Sequence, residues 1–365
     1  MIGMNIAFFA SSLVSAYWNG AATYYRGIVR ALHERGHRVT FFEPDAYERQ
    51  QHRDMQDPDW AEVVVYSADG TDELERCLER ARRADLVVKA SGVGVFDAEL
   101  EQRVIDLRRP GQLVAFWDVD APATLERVHA TADDPFRALI PAYDVVFTYG
   151  GGEPVVRAYG GLGARQCVPI YNAFDPTTHH PAAADPRFAG ALGFLGNRLP
   201  DREARVERFF FEAARRLPGH RCLLGGSGWG DKPLPENVHY LGHVYTHEHN
   251  AFNGTLEAVL NISRDSMAKT GFSPATRVFE AAGVGACLIT DAWEGIERFL
   301  EPDTEVLVAR DGAEVAAHVA TLTPARRRAL GQAARRRMLA EHTYAHRVLE
   351  VEQVLGQTSR KRRAS

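Results

Sequence analysis

The chain has 365 residues, 45% of them hydrophobic and 25% charged, and carries a formal net charge of −5 with a pI near 6.3. That length holds about two domains of ordinary size, each with its own core, and the composition is that of a soluble globular chain. The acidic balance argues against nucleic acid as a partner, and no stretch is long and apolar enough to be read as a transmembrane segment.

The first 25 residues carry no charge, but there is no basic start, and Asn5, Ser11, Ser12, Ser15 and Asn19 interrupt the apolar run. This reads as a strand and the start of a helix, not as a signal peptide. Strands are expected at 5–10, 39–42, 63–66, 86–90, 113–117 and 145–149, with helices over 20–35 and 72–83. Such β/α alternation predicts a parallel sheet covered on both faces. The turn after the first strand has one glycine, Gly20, and no GxGxxG, which counts against an NAD- or FAD-binding fold.

The composition changes between Asn172 and Gly190, where three prolines occur without apolar periodicity. Residues 173–190 read as a linker between a domain 1–172 and a domain 191–343. The alternation then restarts, with strands at 191–195, 221–224, 238–241, 256–262, 286–290 and 305–308. A helix is expected from about Asp201 to Leu217. Two arginine-rich helices follow the last strand, and a helix from about Tyr344 to Leu355 leads into a basic tail. Arg326–Arg328, Arg335–Arg337 and Arg360–Arg363 read as solvated helix faces and a disordered tail, with weak peripheral contact to anionic lipid as the sharper alternative.

In open α/β sheets, ligands lie beyond the carboxyl ends of the strands. In the second half these ends are Gly196-Asn197-Arg198, Gly225-Gly226-Ser227, Gly242-His243-Val244 and Ser263-Arg264, with Arg202 close behind the first. Residues 270–291 look central. Gly271 and Phe272 form a turn, Ser273 is the expected N-cap and Pro274 the first helical residue, and the helix runs to about Val284. Ser273, Arg277 and Glu280 fall on one stripe, offering free amides, a cation and then a carboxylate. A nucleoside diphosphate needs that order: donors for the phosphates, then an acceptor for the ribose.

With these residues assembled, the chain resembles glycosyltransferases of the GT-B architecture, and most closely the CgeB-type (spore-maturation) glycosyltransferase-like family related to glycosyltransferase family 4. The resemblance is sharpest over Arg277–Asp291. It implies an α/β fold of two Rossmann-like domains facing across a cleft, with the helix after His342 crossing back to the first domain. It implies that Glu280 binds the ribose hydroxyls, that Gly196, Arg198 and Arg202 lie near the diphosphate, and that the backbone at Gly242–Val244 lies near the base. In family 4 a second glutamate precedes the first by eight residues. Phe272 stands there in this chain, which leaves the donor sugar and the stereochemistry open.

Other candidates are weighed beside these. His239, His243, His247 and His249 could suggest zinc, but they cross a strand end and a loop, so no metal is expected. Asp118 and Asp120, after a first-half strand, are candidates for a general base; capping before Pro122 is the structural alternative. Tyr17, Trp18, Asn19 and Gly20 are acceptor-side candidates, since aromatic faces pack on sugars. Four dispersed cysteines without metal spacing fit a reduced, cytoplasmic protein.

The reading is a metal-independent transferase with no cofactor. It moves a sugar from a nucleotide diphosphate donor, UDP- or GDP-linked, to an unidentified acceptor in the interdomain cleft. Retention is preferred from the resemblance. A nucleotide-sugar epimerase and a non-catalytic nucleotide-sugar binder are the alternatives, and the oligomeric state is not legible.

Overall fold

The structure, a computed structural model, describes residues 3–364. It divides into two compact units: residues up to Tyr171 together with those from Tyr344 onward, and Asn172–Thr343.

In the first unit the strands are β1 (Asn5–Phe9), β2 (Arg38–Asp45), β3 (Glu62–Ser67), β4 (Leu86–Ala90), β5 (Leu113–Asp118), β6 (Val145–Thr148) and β7 (Cys167–Pro169). They form one parallel sheet in the order β3-β2-β1-β4-β5-β6-β7. The central strands β4, β5 and β6 are buried along their whole length, as expected for strands covered on both faces. The helix Ala22–Glu34 buries Tyr24, Tyr25, Ile28, Val29 and Leu32 along one side.

In the second unit, β8 (Leu192–Leu195), β9 (Cys222–Gly225), β10 (Val238–Gly242), β11 (Ala258–Asn261), β12 (Leu288–Asp291) and β13 (Leu307–Ala309) form a second parallel sheet. Its order is β10-β9-β8-β11-β12-β13. The strand order reverses between β1 and β4 in the first sheet and between β8 and β11 in the second. Successive crossovers leave to opposite sides at such points, opening a crevice at the carboxyl edge.

Several expectations are corrected. The helix expected from Asp201 is α-helical over Pro200–Val206, passes through a π turn at Glu207–Phe211 and resumes over Glu212–Arg216. The wider turn carries Phe209, Phe210 and Phe211, three consecutive residues that are all buried. Both arginine clusters expected on separate helices sit on one helix, Pro324–Glu341. The basic tail, expected to be disordered, continues the last helix from Tyr344 to Ala364. Arg360 and Arg362 bind the Gly356 and Gln112 carbonyls respectively, whereas the Arg363 side chain lies outside the described residues.

Residues 172–190 pack within the second unit. The Phe174 amide donates to the His342 carbonyl, Asn172 Nδ2 donates to the Pro274 carbonyl, and Phe188 meets Phe252 edge-on. Among the described residues no helix is long and apolar enough to cross a membrane.

Candidate functional site

The carboxyl edge of the second sheet is knit together by its own backbone. The Gly196 amide donates to the Gly225 carbonyl, the Gly226 amide to Gly242, and the Arg198 amide to Ser227. Asn197 Oδ1 accepts from the Ser227 amide, and Trp229 Nε1 donates to the Gly196 carbonyl. Glycine is required here by crowding. A Cβ on Gly226, whose φ is +116°, would lie 2.3 Å from the Gly196 carbonyl oxygen, and one on Gly225 would lie 2.9 Å from the Val244 side chain.

The expected cations gather at this edge, but acids fix two of them in place. Arg198 pairs with Glu203 (2.8 Å) and Asp231 (2.9 Å), and Lys232 also reaches Glu203 at 2.9 Å. These two cations hold the Glu203 carboxyl down to about 2. Arg264 pairs with Asp201 at 2.6 Å, linking the loop after β11 to the helix after β8 across the strand-order reversal. The Arg202 guanidinium lies over Gly196, 3.0 Å from where a Cβ would be.

The helix after Gly271 starts later than the sequence suggested. It spans Thr276–Val284 with Ala275 at the N-cap, so Ser273 does not cap it; the Ser273 hydroxyl donates instead to the Gly271 carbonyl at 2.9 Å. The delay follows from the turn. Gly271 (φ +71°) and Phe272 (φ +46°) are both left-handed, and the Phe272 amide is held by the Glu294 carbonyl at 2.7 Å. A non-glycine residue in that region is strained, and strain of this kind collects at ligand sites.

Glu280 and Arg277 point into the same buried surroundings. Glu280 is 5% exposed, and its polar contact is His179 Nε2 at 3.5 Å; among the described residues its carboxylate accepts no hydrogen bond. Burial alone would raise its pKa, but His179, Arg277 and His249 together hold it below the ordinary value. Arg277 is largely buried, its Nη1 has no partner among the described residues, and desolvation lowers its pKa. His249 Nε2 lies 3.3 Å from the Val244 carbonyl. His243 is exposed and meets the Tyr245 ring edge-on at 4.7 Å. Among the described residues no cluster of His, Cys, Asp and Glu is arranged to hold a metal ion.

In the first unit, Asp118 ends β5 with no exposure and accepts from Ser91 Oγ (2.8 Å), Thr124 Oγ1 (3.0 Å), Tyr159 Oη (2.5 Å) and the Asp120 amide (3.0 Å). Burial still leaves its pKa raised. This carboxylate ties strand ends together and faces no solvent. Asp120 is the N-cap of the helix Ala121–Ala130, though its side chain makes no capping bond. The Asn19 side chain is buried; its Nδ2 donates to the Ser12 and Ser15 carbonyls and its Oδ1 accepts from Ser11 Oγ. Tyr17 and Trp18 remain at the surface beyond β1, Trp18 in the left-handed region at φ +48° and 58% exposed. Tyr17 stacks on His52 at 4.1 Å. A Cβ added at Gly20 would meet no atom within 4 Å.

No curated protein sequence matches the chain. Residues 202–353 match the family described as "Glycosyl transferase-like". Solved structures align over nearly the whole chain. Sucrose-phosphate synthase from Thermosynechococcus elongatus is 14% identical with a TM-score of 0.69, covering 97% of this chain and 98% of its own. An α-glucosyltransferase in complex with UDP and a DNA 13-mer is 11% identical with a TM-score of 0.72, covering 97% and 100%. The Anabaena protein HepE, in complex with UDP and glucose, is 13% identical with a TM-score of 0.66, again covering 97% and 100%.

The chain has the GT-B glycosyltransferase fold. Within this GT-B chain the sequence alone does not single out His179, which lies in the stretch expected as a linker, or the acids Glu203, Asp231 and Asp201, and it groups His249 with the histidine run. A signal for His249 was present: it lies four residues before Asn253, and both sit just ahead of a buried strand.

Proposed function

We propose that the chain is a glycosyltransferase that takes its sugar from a nucleotide diphosphate donor, UDP- or GDP-linked, held by the second unit. The observation that carries this reading is Glu280, a buried carboxylate with unused acceptor capacity, beside the largely buried cation Arg277 and behind a strained glycine turn. Such a carboxylate suits ribose hydroxyls, which bring donors to an acceptor-only group. The amides of Thr276 and Arg277 at the helix start, with Arg202 and Arg264 across the strand-order reversal, suit the diphosphate. Arg198 would act through the position that Glu203 and Asp231 give it.

In the reaction, the bond from the anomeric carbon to the diphosphate oxygen breaks and a bond to an acceptor oxygen forms. The acceptor proton is released, and the negative charge growing on the departing diphosphate is met by fixed donors and cations. This is work that a divalent ion performs in other transferases, which is the basis for proposing that the chain needs none. Tyr17 and Trp18 are proposed as an acceptor-side surface, and retention remains the preferred outcome. UDP bound in similar structures supports a UDP-linked donor first.

The test is a thermal-shift panel of UDP-, GDP-, ADP- and dTDP-sugars on the full chain, followed by mass spectrometry of products with candidate acceptors. A donor that binds the folded form raises the melting temperature by mass action. If no nucleotide sugar shifts it, the reading fails.

A further inference from the structure

The helix His249–Thr255 packs against the helix Thr276–Val284, with Gly254 close to Val284. His249 and Asn253 are one turn apart and share a face. The His249 Nε2 contact is to the Val244 carbonyl, and a carbonyl can only accept. Nε2 therefore carries the proton, and in the neutral ring Nδ1 presents a lone pair. Burial pushes the ring down to about 4, so it is neutral at pH 7, and it senses Glu280, Arg277 and His179.

That Nδ1 is buried and has no partner among the described residues. The Asn253 side chain is 0% exposed, and neither its Oδ1 nor its Nδ2 has a partner among the described residues; Arg277 Nη1 is in the same condition. Buried polar groups are nearly always satisfied, and two of these open atoms, His249 Nδ1 and Arg277 Nη1, belong to side chains that act on the Glu280 carboxylate, which marks a place for a ligand. The acceptors define it. His249 Nδ1 and Glu280 can only accept, so the group they hold must bring donors. A phosphate, which brings acceptors and negative charge, does not fit beside Glu280. A vicinal diol fits.

We propose that His249 reads the nucleotide ribose: Nδ1 accepts from one ribose hydroxyl while Glu280 accepts from the other, so that the site selects ribonucleotides over deoxyribonucleotides. This rests on the nucleotide-donor reading above. By its Nε2 bond, His249 also fixes the Val244 carbonyl, so the loop after β10 and the ribose-binding carboxylate are set by one ring.

The test is calorimetry on the full chain with UDP and GDP and with their 2′-deoxy and 3′-deoxy counterparts, using wild type, His249→Ala and His249→Gln. Sites built to bond a hydroxyl strongly reject analogues lacking it, so wild type is expected to prefer the ribonucleotide over at least one deoxy form by about 10-fold or more. In folded His249→Ala the ratio for one deoxy form should collapse to about 2-fold or less, while the ratio for the hydroxyl that Glu280 reads persists. His249→Gln can still donate to Val244 and gives the same readout if the alanine variant does not fold; its ratio should fall by at least about 3-fold. Wild-type ratios near one, or both ratios unchanged in a folded variant, overturn the assignment and leave water as the partner of His249 Nδ1. If neither UDP nor GDP binds wild type at all, the donor reading falls with it.

Discussion

His179 Nε2 lies 3.5 Å from Glu280 Oε1 with both side chains buried, so a histidine from residues 172–190 faces the carboxylate proposed to bind ribose. The contact is long for a hydrogen bond, and it leaves Glu280 able to turn its oxygens toward hydroxyl donors.

Glu280→Ala is therefore expected to weaken donor binding by roughly 1–3 kcal/mol through lost hydrogen bonds to a charged acceptor. Glu280→Gln, which keeps one carbonyl acceptor, should lose less. Calorimetry with UDP or GDP checks both; unchanged affinity in folded Glu280→Ala would remove the carboxylate from the site.

The buried neutral His249 makes stability depend on pH. Its folded pKa, about 4, lies below the unfolded value near 6.5, so between these the unfolded chain binds the extra proton. The contribution is fully present above pH 6.5 and is lost as pH falls toward 4, at most about 3 kcal/mol in all. Urea titrations at pH 7 and pH 5 should show wild type losing more stability on acidification than His249→Gln. Equal losses would place the ring in water.

Gly226→Ala should be strongly destabilising. The new Cβ would meet the Gly196 carbonyl oxygen at 2.3 Å, and φ of +116° is foreign to alanine. We expect a cost of at least ~2 kcal/mol and weaker nucleotide binding, since the same loops would seat the diphosphate. A wild-type melting curve would contradict this.

Asp118→Asn should lower stability without a matching fall in turnover. The carboxylate accepts from Ser91, Thr124, Tyr159 and the Asp120 amide, and the amide that replaces it cannot accept at both ends. A loss of about 1–3 kcal/mol is expected by chemical denaturation. A large drop in kcat at unchanged stability would place Asp118 in the chemistry as a general base.

Trp18→Ala should do the reverse. The side chain is 58% exposed, so stability should change by less than about 0.5 kcal/mol. The KM for an acceptor should rise once an acceptor is identified. A folded variant with an unaltered acceptor KM would remove Trp18 from acceptor binding.

Periodicity made most of the two sheets legible, because buried parallel strands are nearly continuous apolar runs: β4 matches its expected limits and most others lie within two residues, but the three-residue β7 carries too short a pattern and was not expected. Helix starts were less legible. Ser273-Pro274 has the chemistry of a helix start, but the left-handed turn at Gly271-Phe272 and the Pro274 carbonyl bonded to Asn172 delay the helix to Thr276. Partners distant in sequence were not legible at all. Nothing local ties His179 to Glu280 or Asp201 to Arg264, and nothing near Asp118 in sequence announces that Tyr159 and Ser91 donate to it.

The helix Tyr344–Ala364 belongs to the first unit, and its Tyr344 ring occupies the space that a side chain at Gly27 would need. Its Glu352 bonds both His37 and Arg35. During synthesis the amino-terminal half thus emerges without its last wall, and must wait while 172 further residues are translated before that wall arrives. The second half, contiguous in the chain, can fold first. An N-terminal fragment ending at Tyr171 would leave Tyr24, Gly27 and His37 uncovered, so it should be the more aggregation-prone of the two halves when expressed alone.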